Sequence, residues 1–126
     1  KVVAAHCGSS GVAHVSDHFQ QWRAMIEEHR HLYGDISAMA SMSRFSYLRR
    51  VLGDSVARRR AIYGSDCPIP VTPWLFAASL GFGEVRRLAD ISNPLERNLE
   101  TVRAVANKID VEIEPVLTRG ARLLGL

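Results

Sequence analysis

Three side chains able to do acid–base or metal chemistry each stand at the end of a short apolar run: His6 after VVAA, Asp35 after HLYG and Asp66 after AIYGS. A histidine and two carboxylates delivered to one rim can bind a divalent ion, orient a water and move a proton. A carboxylate is a hard oxygen ligand whose pKa responds to metal and hydrogen-bond partners, and an imidazole can polarise a carbonyl or donate to a developing oxyanion. Ser37 has the same parity as Asp35 along an extended chain, so both side chains are expected on one side. The bland alternative is that Asp35 and Asp66 only cap turns, as strand-end aspartates often do. A zinc site of another kind could be drawn from His6, Cys7, Asp66 and Cys67, but their spacing is no ligand motif, and cysteine is readily buried as a small hydrophobe. His14, His18, His29 and His31 are scattered over a loop, a helix and a helix end, where solvated or capping roles are the default. Trp22 and Trp74 read as core or helix–sheet packing.

The elements that must position these groups alternate. Val2 to Ala5 reads as a strand buried on both faces, followed by a Gly/Ser loop, Gly8 to Gly11. Ser16 is the expected cap of a helix carrying Phe19, Trp22, Met25 and Ile26 at helical spacing. Leu32, Tyr33 and Ile36 mark a second strand reaching Asp35 and Ser37. A helix with Phe45, Leu48, Val51 and Leu52 then stops at Gly53. Ala61 to Tyr63 is the third strand, closed by Gly64-Ser65-Asp66. Strand–helix alternation predicts βαβ units, hence an α/β fold with a parallel sheet, and strand C-termini in such folds open onto the ligand site. The remainder predicts helices over Pro73 to Phe82, Glu84 to Ala89, a segment capped by Asn93 with Pro94 first and Glu96 completing a capping box, and Pro115 to Leu124. Leu95, Leu99, Val102, Ala106 and Ile109 are the expected buried face of the third of these.

The 126 residues are the size of one domain, and no repeat or low-complexity linker divides residues 1–126. The formal net charge is only +3, and Arg58-Arg59-Arg60 and Arg86-Arg87 have no stacking aromatics between them, so nucleic acid is not an expected partner. The apolar stretch from Val71 to Phe82 is too short to span a bilayer, no membrane partner is expected, and two cysteines fit free thiols in a reducing cytoplasm. Three parallel strands leave two open edges, and an eight-unit barrel takes about 250 residues, so a start at Lys1 directly before a strand reads as a fragment of a closed barrel.

The runs VVAAHCGSS, HLYGDISAM and AIYGSDCPIP, in that order, resemble the last three strand ends of the amidohydrolase-related family, in the branch of the aminocarboxymuconate-semialdehyde decarboxylase type. NPLERN and ARLLGL are similar to its closing helices. G-S-D-x-P is the most specific element; Gly120 departs from the pattern where the family usually has Asn. The resemblance implies the C-terminal portion of a (β/α)8 TIM barrel, about three parallel strands with flanking helices. It makes Asp66 the metal-binding, proton-handling carboxylate and His6 a group touching substrate or metal-bound water. Asp35 and Ser37 would support the site through hydrogen bonds. The implied cofactor is a divalent metal, zinc first, and the implied reaction is hydrolysis of a C–O or C–N bond, or non-oxidative decarboxylation, of a small-molecule substrate. The family's H-x-H pair and a further strand-end histidine are missing; His29-Arg30-His31 has the pattern but lies before the second strand. The chain alone is therefore expected to be inactive, or to bind metal only weakly, and to need a missing N-terminal barrel half or homo-oligomer contacts. The competing expectation is a non-catalytic α/β module that associates through its open sheet edges.

Overall fold

The computed structural model describes residues 1–11 and 17–126. Strands β1 (Val2–Ala4), β2 (Leu32–Asp35) and β3 (Ala61–Ile62) form a parallel sheet in that order. Val3 sits opposite Tyr33, and Asp35 opposite Ile62. Helix α1 (Phe19–Glu28) connects β1 to β2, and α2 (Phe45–Gly53) with α3 (Ser55–Arg60) connects β2 to β3. Four helices follow: α4 (Ala77–Leu80), α5 (Phe82–Ala89), α6 (Pro94–Lys108) and α7 (Glu114–Leu124). This is the βαβ alternation that the sequence predicts, three strands long.

The core lies where the helices meet the sheet. Phe19, Trp22 and Ile26 from α1, Leu48, Val51 and Leu52 from α2, and Val102, Val105 and Ala106 from α6 are buried together with Met39 and Val116. Trp22 fixes the closest approach. Its ring crosses β2 so tightly that a Cβ on Gly34 would lie 2.6 Å from Cζ2 and 2.8 Å from Cys7 Sγ. Only glycine leaves that space. The indole N–H also donates to the Tyr33 carbonyl (3.2 Å), so one side chain both packs on the strand and ties to it.

Several sequence expectations are corrected. β1 is not buried on both faces: Val2 and Val3 are 63% and 46% exposed, because β1 pairs only with β2 among the described residues. Trp74 is half exposed rather than core. The helix expected over Pro73 to Phe82 is broken at Gly81, whose φ of 86° is open to glycine but costly to other residues, and the chain restarts there as α5. Helix α3 was not foreseen. Asp54 starts it, accepting from Val56 N (2.8 Å) and Ala57 N (3.0 Å) while pairing with Arg23 of α1 (2.6 Å). The buried face of α6 is Asn98, Thr101, Val102, Val105 and Ala106, with Leu95 left exposed. Asn93 caps α6 as expected, accepting from Leu95 N and Glu96 N, and Gly125 ends α7 in the left-handed region. Ser16, the expected cap of α1, and His14 lie outside the described residues; Asp17 accepts from Phe19 N (3.0 Å) at that helix start.

The last helix closes on the third strand. Tyr63 N donates to the Val116 carbonyl (3.1 Å), and the Arg119 guanidinium donates to the carbonyls of Ala61 and Arg58. Burial lowers the Arg119 pKa from its ordinary value. No helix among the described residues is long and apolar enough to cross a membrane.

Candidate active site

The three strands deliver His6, Asp35 and Asp66 to one end of the sheet, and each strand end leaves regular backbone in the same way. His6 and Cys7 both have φ of 52°, Ala38 has 56° and Asp66 has 56°. Left-handed backbone at non-glycine residues costs about 1–3 kcal/mol each and gathers where surrounding structure and function hold it. Here it turns the His6 ring back over the end of β2 and directs Asp66 toward that ring.

Asp35 organises the first half of the rim. Its Oδ1 accepts from His6 N and Ser37 N, both at 3.1 Å, and from Ser37 Oγ in a very short contact. The His6 ring nitrogen Nδ1 lies 2.9 Å from Ser37 Oγ, 3.0 Å from the Ser37 carbonyl and 3.6 Å from Asp35 Oδ1. The other ring nitrogen, Nε2, faces Asp66 Oδ2 at 3.9 Å. Beneath the turn, the Cys7 thiol is buried and donates to the Asp35 carbonyl (3.2 Å). Burial, and then the charge of Asp35, raise its pKa well above the usual thiol value.

The second half of the rim is held from behind. The Asp66 carboxylate is 40% exposed, and His6 is the one basic side chain within 4 Å of it among the described residues. Its loop is fixed by α6 instead: Asn98, only 4% exposed, accepts from the Tyr63 hydroxyl (2.9 Å) and donates to the Ser65 carbonyl (3.4 Å). Burial raises the Tyr63 pKa. Sequence reasoning missed Asn98. The available signal was its spacing, three, four and seven residues before Thr101, Val102 and Val105, which puts an amide on the buried face of α6. A cleft of about 240 Å³ opens beside this loop between Cys67, Ile69, Leu95 and Asn98. A larger groove of about 950 Å³ between Phe45, Arg49 and Ile109 is lined by none of the site residues.

As a donor set for a metal, the rim is partial. His6 Nε2 and Asp66 Oδ2 are types that zinc accepts and lie on two sides of one small gap, but no group of three or more His, Cys, Asp or Glu side chains is gathered to hold an ion among the described residues. The His29-Arg30-His31 triplet is away from the rim, its Arg30 Nε contacting His31 Nε2 on the surface. A family model described as amidohydrolase matches residues 1–101, the segment that carries all three strands and every rim residue. No curated protein and no solved structure matches the chain.

Proposed function

The chain belongs to the amidohydrolase family, and from that premise we propose that it supplies part of the active site of a metal-dependent hydrolase or non-oxidative decarboxylase. The reading takes residues 1–126 as one domain, the closing segment of a barrel of the aminocarboxymuconate-semialdehyde decarboxylase type. Its substrate is a small organic molecule cleaved at a C–O or C–N bond, or decarboxylated, in the cytoplasm. The observation that carries the reading is the His6–Asp66 pair, two strand-end side chains facing one gap at 3.9 Å. In that gap Asp66 accepts a proton from the attacking water or returns one to the substrate, and His6 steadies the charge that develops. Asp35 and Ser37 hold His6 in place. Asp66, with His6 beside it, would hold a divalent ion, zinc first; bound there, such an ion supplies Lewis acidity and lowers the pKa of water. The remaining donors come from strands beyond these three.

The test is turnover by the intact protein supplied with zinc, manganese or magnesium, across small esters, amides and carboxylic acids. Metal-dependent release of acid, amine or carbon dioxide that falls by about a hundredfold or more in Asp66→Asn supports the reading. Activity unchanged in that variant overturns it. A second reading, a non-catalytic module docking through its sheet edge, draws on the exposed Val2 and Val3 of β1. It predicts association lost in Val3→Lys, with indifference to Asp66→Asn.

A further inference from the structure

We infer that Asp35 and Ser37 act together as positioning residues that hold the His6 imidazole in one tautomer, with its proton on Nδ1 and a bare Nε2 facing Asp66. The Ser37 carbonyl lies 3.0 Å from Nδ1, and a carbonyl only accepts, so the hydrogen between them belongs to the ring. The Ser37 hydroxyl lies 2.9 Å from the same nitrogen, but its own hydrogen is directed to Asp35 Oδ1. Its oxygen is therefore also an acceptor toward Nδ1. Asp35 keeps that arrangement because its Oδ1 accepts the hydroxyl hydrogen and is anchored by His6 N and Ser37 N at 3.1 Å.

A neutral imidazole carries one N–H, so the second nitrogen is left with its lone pair. The opposite tautomer would set the Nδ1 lone pair against the carbonyl lone pairs, and the hydroxyl could relieve this only by turning its hydrogen away from Asp35. The consequence for chemistry is directional. Nε2 enters any reaction as a proton acceptor or ligand, and it donates to a developing charge only after it has taken up a proton. This inference rests on hydrogen bonding and stands or falls apart from the proposed reaction.

The experiment is a long-range proton–nitrogen correlation spectrum of the intact protein with ¹⁵N-labelled histidine, at about pH 9, where free imidazole is neutral. His6 is assigned by the signal missing in His6→Gln. The expected result is protonated Nδ1 and unprotonated Nε2, favoured by about tenfold or more. Asp35→Ala, which removes the acceptor of the Ser37 hydroxyl hydrogen and frees that hydroxyl to donate to Nδ1, raises the Nε2–H share several-fold. Ser37→Ala, which removes one of the two acceptors, raises it as well, so either folded variant serves if the other does not fold. A wild-type His6 protonated at Nε2 overturns the inference, as does an unchanged tautomer ratio in a folded variant.

Discussion

The two halves of the rim are held in opposite ways. On the β1–β2 side, the His6 ring is fixed by Ser37 and its backbone by Asp35, with the buried Cys7 thiol tied to the Asp35 carbonyl below. On the β3 side, the Asp66 carboxylate is largely free, and what is fixed is the backbone around it, through Asn98, Ser65 and Tyr63. Under the proposed reaction the difference separates two duties. A side chain whose orientation decides its chemistry needs its own partners, whereas a carboxylate that must meet an ion or a water needs open lone pairs on a firmly placed backbone. Burying Asp66 in hydrogen bonds would spend the acceptors that its proposed role requires.

The comparison can be broken one half at a time. The largest effect is expected at Trp22, which underlies the His6–Cys7 turn and crosses Gly34. Trp22→Ala should cost about 3–5 kcal/mol in denaturant unfolding, and Gly34→Ala, which drives a Cβ into the same ring, about 1–3 kcal/mol. Both should disturb the His6 side first, read as His6 resonances shifting before those near Asp66. Asn98→Leu attacks the other half. It strands the Tyr63 hydroxyl, should cost about 1–3 kcal/mol, and should move the Ser65–Asp66 loop while leaving the His6–Ser37 contacts intact. Equal disturbance of both halves by either change would dissolve the distinction.

The smallest effect sharpens the comparison by lying outside both halves. Burial alone would raise the Asp54 pKa, but the N–H groups of Ala57 and Val56 and the Arg23 guanidinium outweigh it and hold the carboxyl below its usual value. A carboxyl depressed in the folded state stabilises above its unfolded pKa, about 4, and that contribution is lost as pH falls through the folded value. Asp54→Ala should cost about 0.5–2 kcal/mol at neutral pH, and less once the pH has fallen through the folded carboxyl's lowered value, with the rim unaffected. A cost that grows on acidification would contradict the sign.

Much of this was legible in the residues. The strand–helix order and the positions of His6, Asp35 and Asp66 follow from apolar runs that end in polar groups, because hydrophobic periodicity is a local property. The parity of Asp35 and Ser37 put both side chains on one side; that both contact His6 is seen only in the fold. What could not be read was set by distant packing. The exposure of Val2 and Val3 depends on what lies beside β1, and a run of valines looks the same on an edge as in a centre. Trp74, expected in core or helix–sheet packing, is half exposed. Asn98 was passed over because its partners, Tyr63 and Ser65, are more than thirty residues away in sequence.

The most direct test of the account is metal binding by the intact protein, measured by titrating zinc into the metal-free form of wild type and of Asp66→Asn, with unfolding curves for both. The account predicts that the variant is as stable as wild type but binds zinc at least about tenfold more weakly. Equal zinc affinity in a folded Asp66→Asn would contradict it, since the open carboxylate of the rim would then have no ion to hold.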